Sequence, residues 1–153
     1  MVTLQKTQDA TVLLDLQKRS FGRLLAKYLD YTTNPAMESV DCLQQKLADP
    51  ERAYYLIQED GEAVGFACIK RVGEALWVTP IGLLPEHCGR RLGTKAMKAL
   101  EALYSHATVW ELQTIQEEAA LCRFYEKLGY RSTGKTSMVR PGMNLVHYRK
   151  QMN

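Results

Sequence analysis

The sequence predicts a mixed α/β domain, and three observations carry that reading. First, apolar side chains make up 46% of 153 residues, enough for one core of ordinary size. Second, residues 53–84 hold three apolar, β-rich runs separated by turn signals. Third, the pattern then switches to helix, strand, helix, as a crossover between strands requires. The predicted order is two helices, three strands, a helix, a strand, a helix and two strands.

Each element has its own signal. DATVLLDLQKRSFGRLLAKYLDY (9–31) reads as helix, with Leu14, Phe21, Leu25 and Tyr28 on one inward stripe. Gly22 is the weak point of that helix. Asn34 with Pro35 behind it predicts the start of a second helix, burying Val40, Leu43 and Leu47 and ending before Pro50. AYYLIQ (53–58) and AVGFACIK (63–70) read as strands joined by a hairpin at Asp60-Gly61. ALWVTPIGLL (75–84) follows the turn at Gly73. Pro80 and Gly82 inside it predict a bulge or a departure from the neighbouring strand. Leu92, Ala96, Leu100 and Leu103, with Met97, mark a helix, and TVWELQTI (108–115) marks a strand. EEAALCRFYEKLGY (117–130) is a helix with Leu121, Phe124 and Leu128 inward and Gly129 as its left-handed stop. The tail forms two strands around Pro141-Gly142.

Bulk properties exclude several functional classes. No apolar run approaches about 18 residues, which predicts no membrane span. The opening MVTLQKTQDA has neither an apolar core nor a cleavage site, so a secretory leader is not expected and a cytoplasmic location is. The net charge of +3, from 20 basic and 17 acidic residues, is too mild to point to nucleic acid. Cys42, Cys68, Cys88 and Cys122 have no metal-ligand spacing and read as reduced thiols, with Cys42, Cys68 and Cys122 in the core. No metal is expected.

The stretch LLPEHCGRRLGTKAM (83–97) has a chemistry of its own. Gly89 and Gly93 bracket Arg90 and Arg91 where a helix begins. A helix N-terminus exposes unpaired N–H groups and a partial positive charge, which together bind anions, phosphate above all. Glycines let the backbone come close. The spacing is neither G-x-x-x-x-G-K-[ST] nor G-x-G-x-x-G. A glycine turn with solvated arginines is the plainer alternative.

Two segments resemble the GNAT N-acetyltransferase superfamily, and the resemblance spans nearly the whole chain. Residues 81–97 are similar to its acetyl-CoA-binding segment, whose pattern Gln/Arg-x-x-Gly-x-Gly/Ala falls on Cys88 to Gly93. The last glycine matches, while Cys88 and Arg91 replace the first residue and the middle glycine. LCRFYEKLGY (121–130) resembles the family's penultimate helix. Glu118 stands where the family often has asparagine.

The resemblance implies one domain over 1–153 with a GNAT-like fold. Its centre is a mostly antiparallel twisted sheet of about six to seven strands, flanked by four helices, with the fourth and fifth strands splayed. It implies acetyl-CoA as co-substrate, its pantetheine arm meeting backbone at Leu83 and Leu84 and its pyrophosphate held by the amides of Gly89, Arg90, Arg91, Leu92, Gly93 and Thr94. Arg90 and Arg91 are further candidates for the 3′-phosphate. Tyr125 takes the family position of a tyrosine that meets the departing sulfur, a role for which a phenol is chemically suited. Core packing is its structural alternative. Glu74, Glu111 and His147 are candidate bases. Met37, Glu38, Trp77 and Tyr148 are candidates for the acceptor side.

The expected activity is therefore acetyl transfer from acetyl-CoA to a primary amine by direct attack in a ternary complex, with no covalent acyl-enzyme. A non-catalytic acyl-CoA sensor on the same fold is the alternative, and a nucleic-acid-associated protein is a weaker third. A homodimer is compatible with the resemblance, with no residue assigned to it. The acceptor is not legible.

Overall fold

The structure, a computed structural model, describes residues 1–89 and 91–152. Seven strands form one sheet: β1 (Val2–Thr7), β2 (Arg52–Glu59), β3 (Glu62–Val72), β4 (Ala75–Leu83), β5 (Val109–Ile115), β6 (Arg131–Arg140) and β7 (Met143–Gln151). Their order is β1-β2-β3-β4-β5-β7-β6. Every neighbouring pair is antiparallel except β4 and β5, which are parallel. Four helices flank the sheet: α1 (Ala10–Tyr28), α2 (Val40–Ala48), α3 (Leu92–Leu103) and α4 (Ala119–Lys127). This is the fold that the resemblance implies.

Alternation along the strands builds two cores. On one face Tyr55, Ile57, Leu76, Val78, Trp110, Leu112, Val146 and Tyr148 pack with Leu92, Ala96, Met97 and Leu100 of α3 and Tyr125 of α4. On the other, Tyr54, Phe66 and Cys68 pack with Leu13 and Leu16 of α1 and Leu43 and Leu47 of α2. Burying a Leu or Phe side chain is worth about 1.5–3 kcal/mol, so both faces need such cover.

Turn chemistry follows the sequence. Asp60 and Gly61 both have positive φ, as a type I′ hairpin demands. α4 ends in a Schellman motif: the Gly129 N–H donates to the Glu126 carbonyl and the Tyr130 N–H to that of Tyr125. β3 and β4 approach so closely that a Cβ on Gly65 would stand 2.3 Å from the Gly82 carbonyl oxygen.

Several expectations need correction. The N-terminal strand β1 was not foreseen: only Val2 and Leu4 of its six residues pack on the core, too short an alternation to read. Asn34 caps a separate 3₁₀ turn, Pro35–Met37, whereas α2 begins later and is capped by Ser39. α1 buries Leu13, Leu16 and Gln17, and the stripe Leu14, Phe21, Leu25 and Tyr28 is only half-buried. α1 rests on the sheet at a different rotation from the one its most apolar stripe implied. Val40 and Leu103 are exposed because each lies at a helix terminus, beyond the sheet's cover. In α4 the buried residue is Tyr125, with Leu121, Phe124 and Leu128 half-buried. Cys42 is exposed, Cys122 half-buried and Cys68 buried, and all are free thiols.

Candidate active site

The sheet opens between β4 and β5. They pair only at Ala75–Val109, Leu76–Trp110 and Trp77–Glu111, and then part. A bulge in β4 marks the departure: Thr79 and Pro80 together oppose the single residue Cys68, since Ala67 pairs with Ile81 and Ile69 with Val78. The extra residue also reverses the strand's phase. Val78 and Ile81 therefore face the same core, three positions apart.

Beyond the bulge, hydrogen-bond alternation decides which backbone groups are free. The Leu84 N–H donates to the Val64 carbonyl at 2.9 Å. In an antiparallel pair such residues alternate with ones whose groups point away from the partner. Ile81 and Leu83 are those residues, and their N–H and C=O groups face the gap left by β5. Leu84 is different: its C=O also accepts from the His87 N–H at 2.9 Å, so both of its groups are engaged within the fold.

At the end of this open edge stands the N-terminus of α3. Its cap residue, Arg91, makes no side-chain capping bond of the kind that Asp9, Asn34 and Ser39 make for α1, the 3₁₀ turn and α2; Glu118 at the start of α4 makes none either, its carboxylate being turned to α1. The first helical bond runs from the Lys95 N–H to the Arg91 carbonyl at 3.1 Å. The N–H groups of Leu92, Gly93 and Thr94 thus precede the helical ladder and have no partner of the helical kind. Arg91 has φ +62, the left-handed conformation, where the family pattern carries glycine. Gly89 is left-handed as well, at φ +81. Arg90 lies outside the described residues. Gly93 is small for a second reason: a Cβ there would meet the Phe124 ring at 3.1 Å and Leu83 at 3.6 Å. Leu83, α3 and α4 thus converge beside the gap.

Tyr125 belongs to the core on that same side, with its ring against Phe124 at 5.0 Å and Tyr130 at 6.0 Å. Burial, reinforced by the nearby Cys122, raises its pKa well above the ordinary phenol value. It is therefore neutral and a hydrogen-bond donor throughout the physiological range. No partner for its hydroxyl is found among the described residues.

Across the sheet, a recess of about 320 Å³ is lined by Trp77, Glu111, Gln113, Lys135, Thr136, Ser137 and His147. It begins where β4 and β5 part, since Trp77 and Glu111 are the last paired residues. α1 packs chiefly on β3 and β4 and α2 on β2, so most of their cover lies on the other half of this face. His147 is buried and stacks on Trp77, ring centroids 5.3 Å apart. Its Nδ1 lies 2.7 Å from the Thr133 hydroxyl. Its Nε2 lies 2.8 Å from Glu111 Oε1 but makes no well-aligned hydrogen bond there. The indole Nε1 of Trp77 is buried without a hydrogen-bond partner. A larger depression of about 500 Å³ at the C-terminal end of α4, lined by Glu126 and Gly129 to Ser132, holds no comparable arrangement.

Glu118, at the start of α4, reaches away from its own helix. It accepts from Lys27 at 2.6 Å, Tyr28 at 2.6 Å and Arg23 at 3.1 Å, all on α1. Burial opposes its charge, but these donors outweigh burial and hold its pKa at about 2.

Among the expected residues, the structure unites Glu111, His147 and Trp77 in the recess. Glu74 is exposed in the β3–β4 turn. Glu38 is engaged with Gln17 and Lys46, and Tyr148 faces the opposite core and donates to Glu126. The sequence reading missed Ile81 and the β6 wall, Thr133 and Lys135 to Ser137. Period-two alternation from Leu83 points to Ile81, and a glycine inside a polar strand, Gly134, is a bulge signal. Among the described residues, no three His, Cys, Asp or Glu side chains group as a metal site would require.

Comparison with known proteins agrees with this geometry. The model of the acetyltransferase (GNAT) family matches residues 12–130. The PaiA N-acetyltransferase of Thermoplasma acidophilum, solved with coenzyme A, is 14% identical with a TM-score of 0.79, over 99% of both chains. The ribosomal-protein-S18-alanine N-acetyltransferase of Escherichia coli is 15% identical with a TM-score of 0.77, over 100% of this chain and 95% of that one. A GNAT family acetyltransferase of Elizabethkingia anophelis with acetyl-CoA bound is 14% identical with a TM-score of 0.69, over 99% and 98%. At such identities these structures establish the fold. Among curated proteins, none matches this sequence.

Proposed function

This chain belongs to the acetyltransferase (GNAT) family, and from that premise we propose that it is an acetyl-CoA-dependent N-acetyltransferase acting on a primary amine. The observation that carries the reading is the continuity of two unsatisfied surfaces. The open β4 edge at Ile81 and Leu83 runs into the uncapped start of α3. A ligand that fits has amides at one end and phosphates at the other: the amides extend the sheet, and the phosphates meet the helix. Acetyl-CoA has that build and supplies an activated acetyl thioester.

The roles follow from position. Leu92, Gly93 and Thr94 bind pyrophosphate through their N–H groups. Gly89 gives close approach, and Arg90 and Arg91 add positive charge. Ile81 and Leu83 hold the pantetheine arm through their backbone, and Leu84 anchors the end of that edge. An N–H of the same edge polarises the acetyl carbonyl. Tyr125 donates a hydrogen bond toward the departing sulfur from one side of the sheet and stabilises its charge while keeping its own proton. Glu111 and His147 take the proton of the incoming ammonium from the other. Nucleophile and leaving group thus have separate faces, and no covalent acyl-enzyme is required.

The test is calorimetric titration of acetyl-CoA into wild type and Thr94→Glu. Glutamate in the first turn favours the helix, so the variant folds, whereas Gly93→Glu would also strain Phe124. Micromolar binding by wild type with at least about a tenfold loss in the variant supports the reading. No binding by folded wild type refutes it. Binding without thiol release over a broad amine panel selects the non-catalytic acyl-CoA sensor instead.

A further inference from the structure

Within the transferase reading, on which it rests, the recess beside β4 and β5 restricts the acceptor. We propose that the acceptor is a small primary amine with an anionic group at its far end, a carboxylate or a phosphate, and that Lys135 binds that group.

The recess is polarised. Its inner end has Glu111 beside His147, the only carboxylate among the described lining residues. A single ammonium is matched there. A polyamine or an aminoglycoside carries several cations and finds no second carboxylate among those residues. The outer wall has the opposite character, with Lys135 flanked by the hydroxyl residues Thr136 and Ser137. Among the described residues no carboxylate pairs with Lys135.

The backbone is built to place that wall. β6 and β7 pair at Ser132–Tyr148 and again at Thr136–Val146. Three residues of β6, Thr133, Gly134 and Lys135, therefore oppose the single residue His147. Gly134 takes φ +85 to make the bulge possible. Thr133 turns inward onto His147, and its hydroxyl also accepts from the Lys135 N–H at 3.4 Å. The irregularity sits opposite the buried histidine. It orients a positioning hydroxyl and a cation that no described carboxylate pairs around one cavity.

The experiment measures thiol release from acetyl-CoA with three acceptor sets: α-amino acids, amino-sugar phosphates, and spermidine with an aminoglycoside. The first two separate carboxylate from phosphate. The expected result is a kcat/KM at least about tenfold higher for one anionic set than for the cations. Lys135→Glu then raises KM for that acceptor about tenfold and lowers kcat far less, as loss of a positioning charge does. Amidating the carboxylate, or removing the phosphate, raises KM in wild type alike. Lys98→Glu, the same charge change on exposed α3, leaves KM in place. Calorimetric binding of the acceptor to the coenzyme A complex follows the same order without turnover. Preference for spermidine or the aminoglycoside overturns the inference and leaves the transferase standing. So does a KM indifferent to Lys135→Glu. Absence of acetyl-CoA binding, or of thiol release with every amine, is the separate failure of the transferase reading and removes this inference with it.

Discussion

Replacing Glu118 by glutamine removes one charge from the junction between α1 and α4 and keeps its shape. Glu118 is 8% exposed and accepts from three α1 side chains. A carboxyl group held at about 2, against about 4.3 in an open chain, contributes at most about 3 kcal/mol. That ceiling is not reached, because the side chains of Lys27 and Arg23 are 51% and 66% exposed. Water screens them and receives them back when the partner is lost, which brings the expected cost to about 1–2 kcal/mol. Tyr28 still finds an acceptor in the amide. For a chain of this size the melting temperature should fall by about 3–6 °C at pH 7. The sign of the pH dependence follows from the depressed pKa. The stabilisation is complete above the open-chain value and disappears as pH falls toward 2. Thermal unfolding of both proteins, at matched ionic strength, should show a gap that narrows by more than half by pH 3 and shrinks at high salt. No gap at pH 7, or one as wide at pH 3, would refute the argument that this ion cluster ties α1 to α4.

Two further outcomes concern the site. Tyr125→Phe should lower kcat by about ten- to a hundredfold while acetyl-CoA binds as before, because only a hydrogen-bond donor is lost; steady-state kinetics with calorimetry decides, and an unchanged kcat returns Tyr125 to core packing. Arg91→Gly relieves a left-handed side chain worth about 1–2 kcal/mol and adds about 0.5–1 kcal/mol of chain freedom to the unfolded state. The melting temperature should rise by about 2 °C while acetyl-CoA binds more weakly for the lost positive charge, and a fall in melting temperature would show that the arginine side chain itself supports the loop.

The local chemistry of this protein was legible in its sequence. Asp60-Gly61 specified a hairpin, Gly129 ended α4, and Pro80 with Gly82 marked the irregularity in β4, because turns and bulges depend on a few adjacent residues. The family segments at 81–97 and 121–130 lay in continuous stretches for the same reason. What the sequence left open depends on partners far along the chain. The rotation of α1, which buries Leu13, Leu16 and Gln17, is set by the sheet beneath it. Ile81 and Leu83 are free because β5 departs and Val64 engages Leu84. Glu111 and His147, 36 positions apart, meet only through the register of β5 with β7. Lys135 reaches their recess through a bulge that has no meaning until β7 lies beside it. Short-range geometry is written in neighbouring residues, and the assembly of a site from separate strands is decided only when the sheet closes around its core.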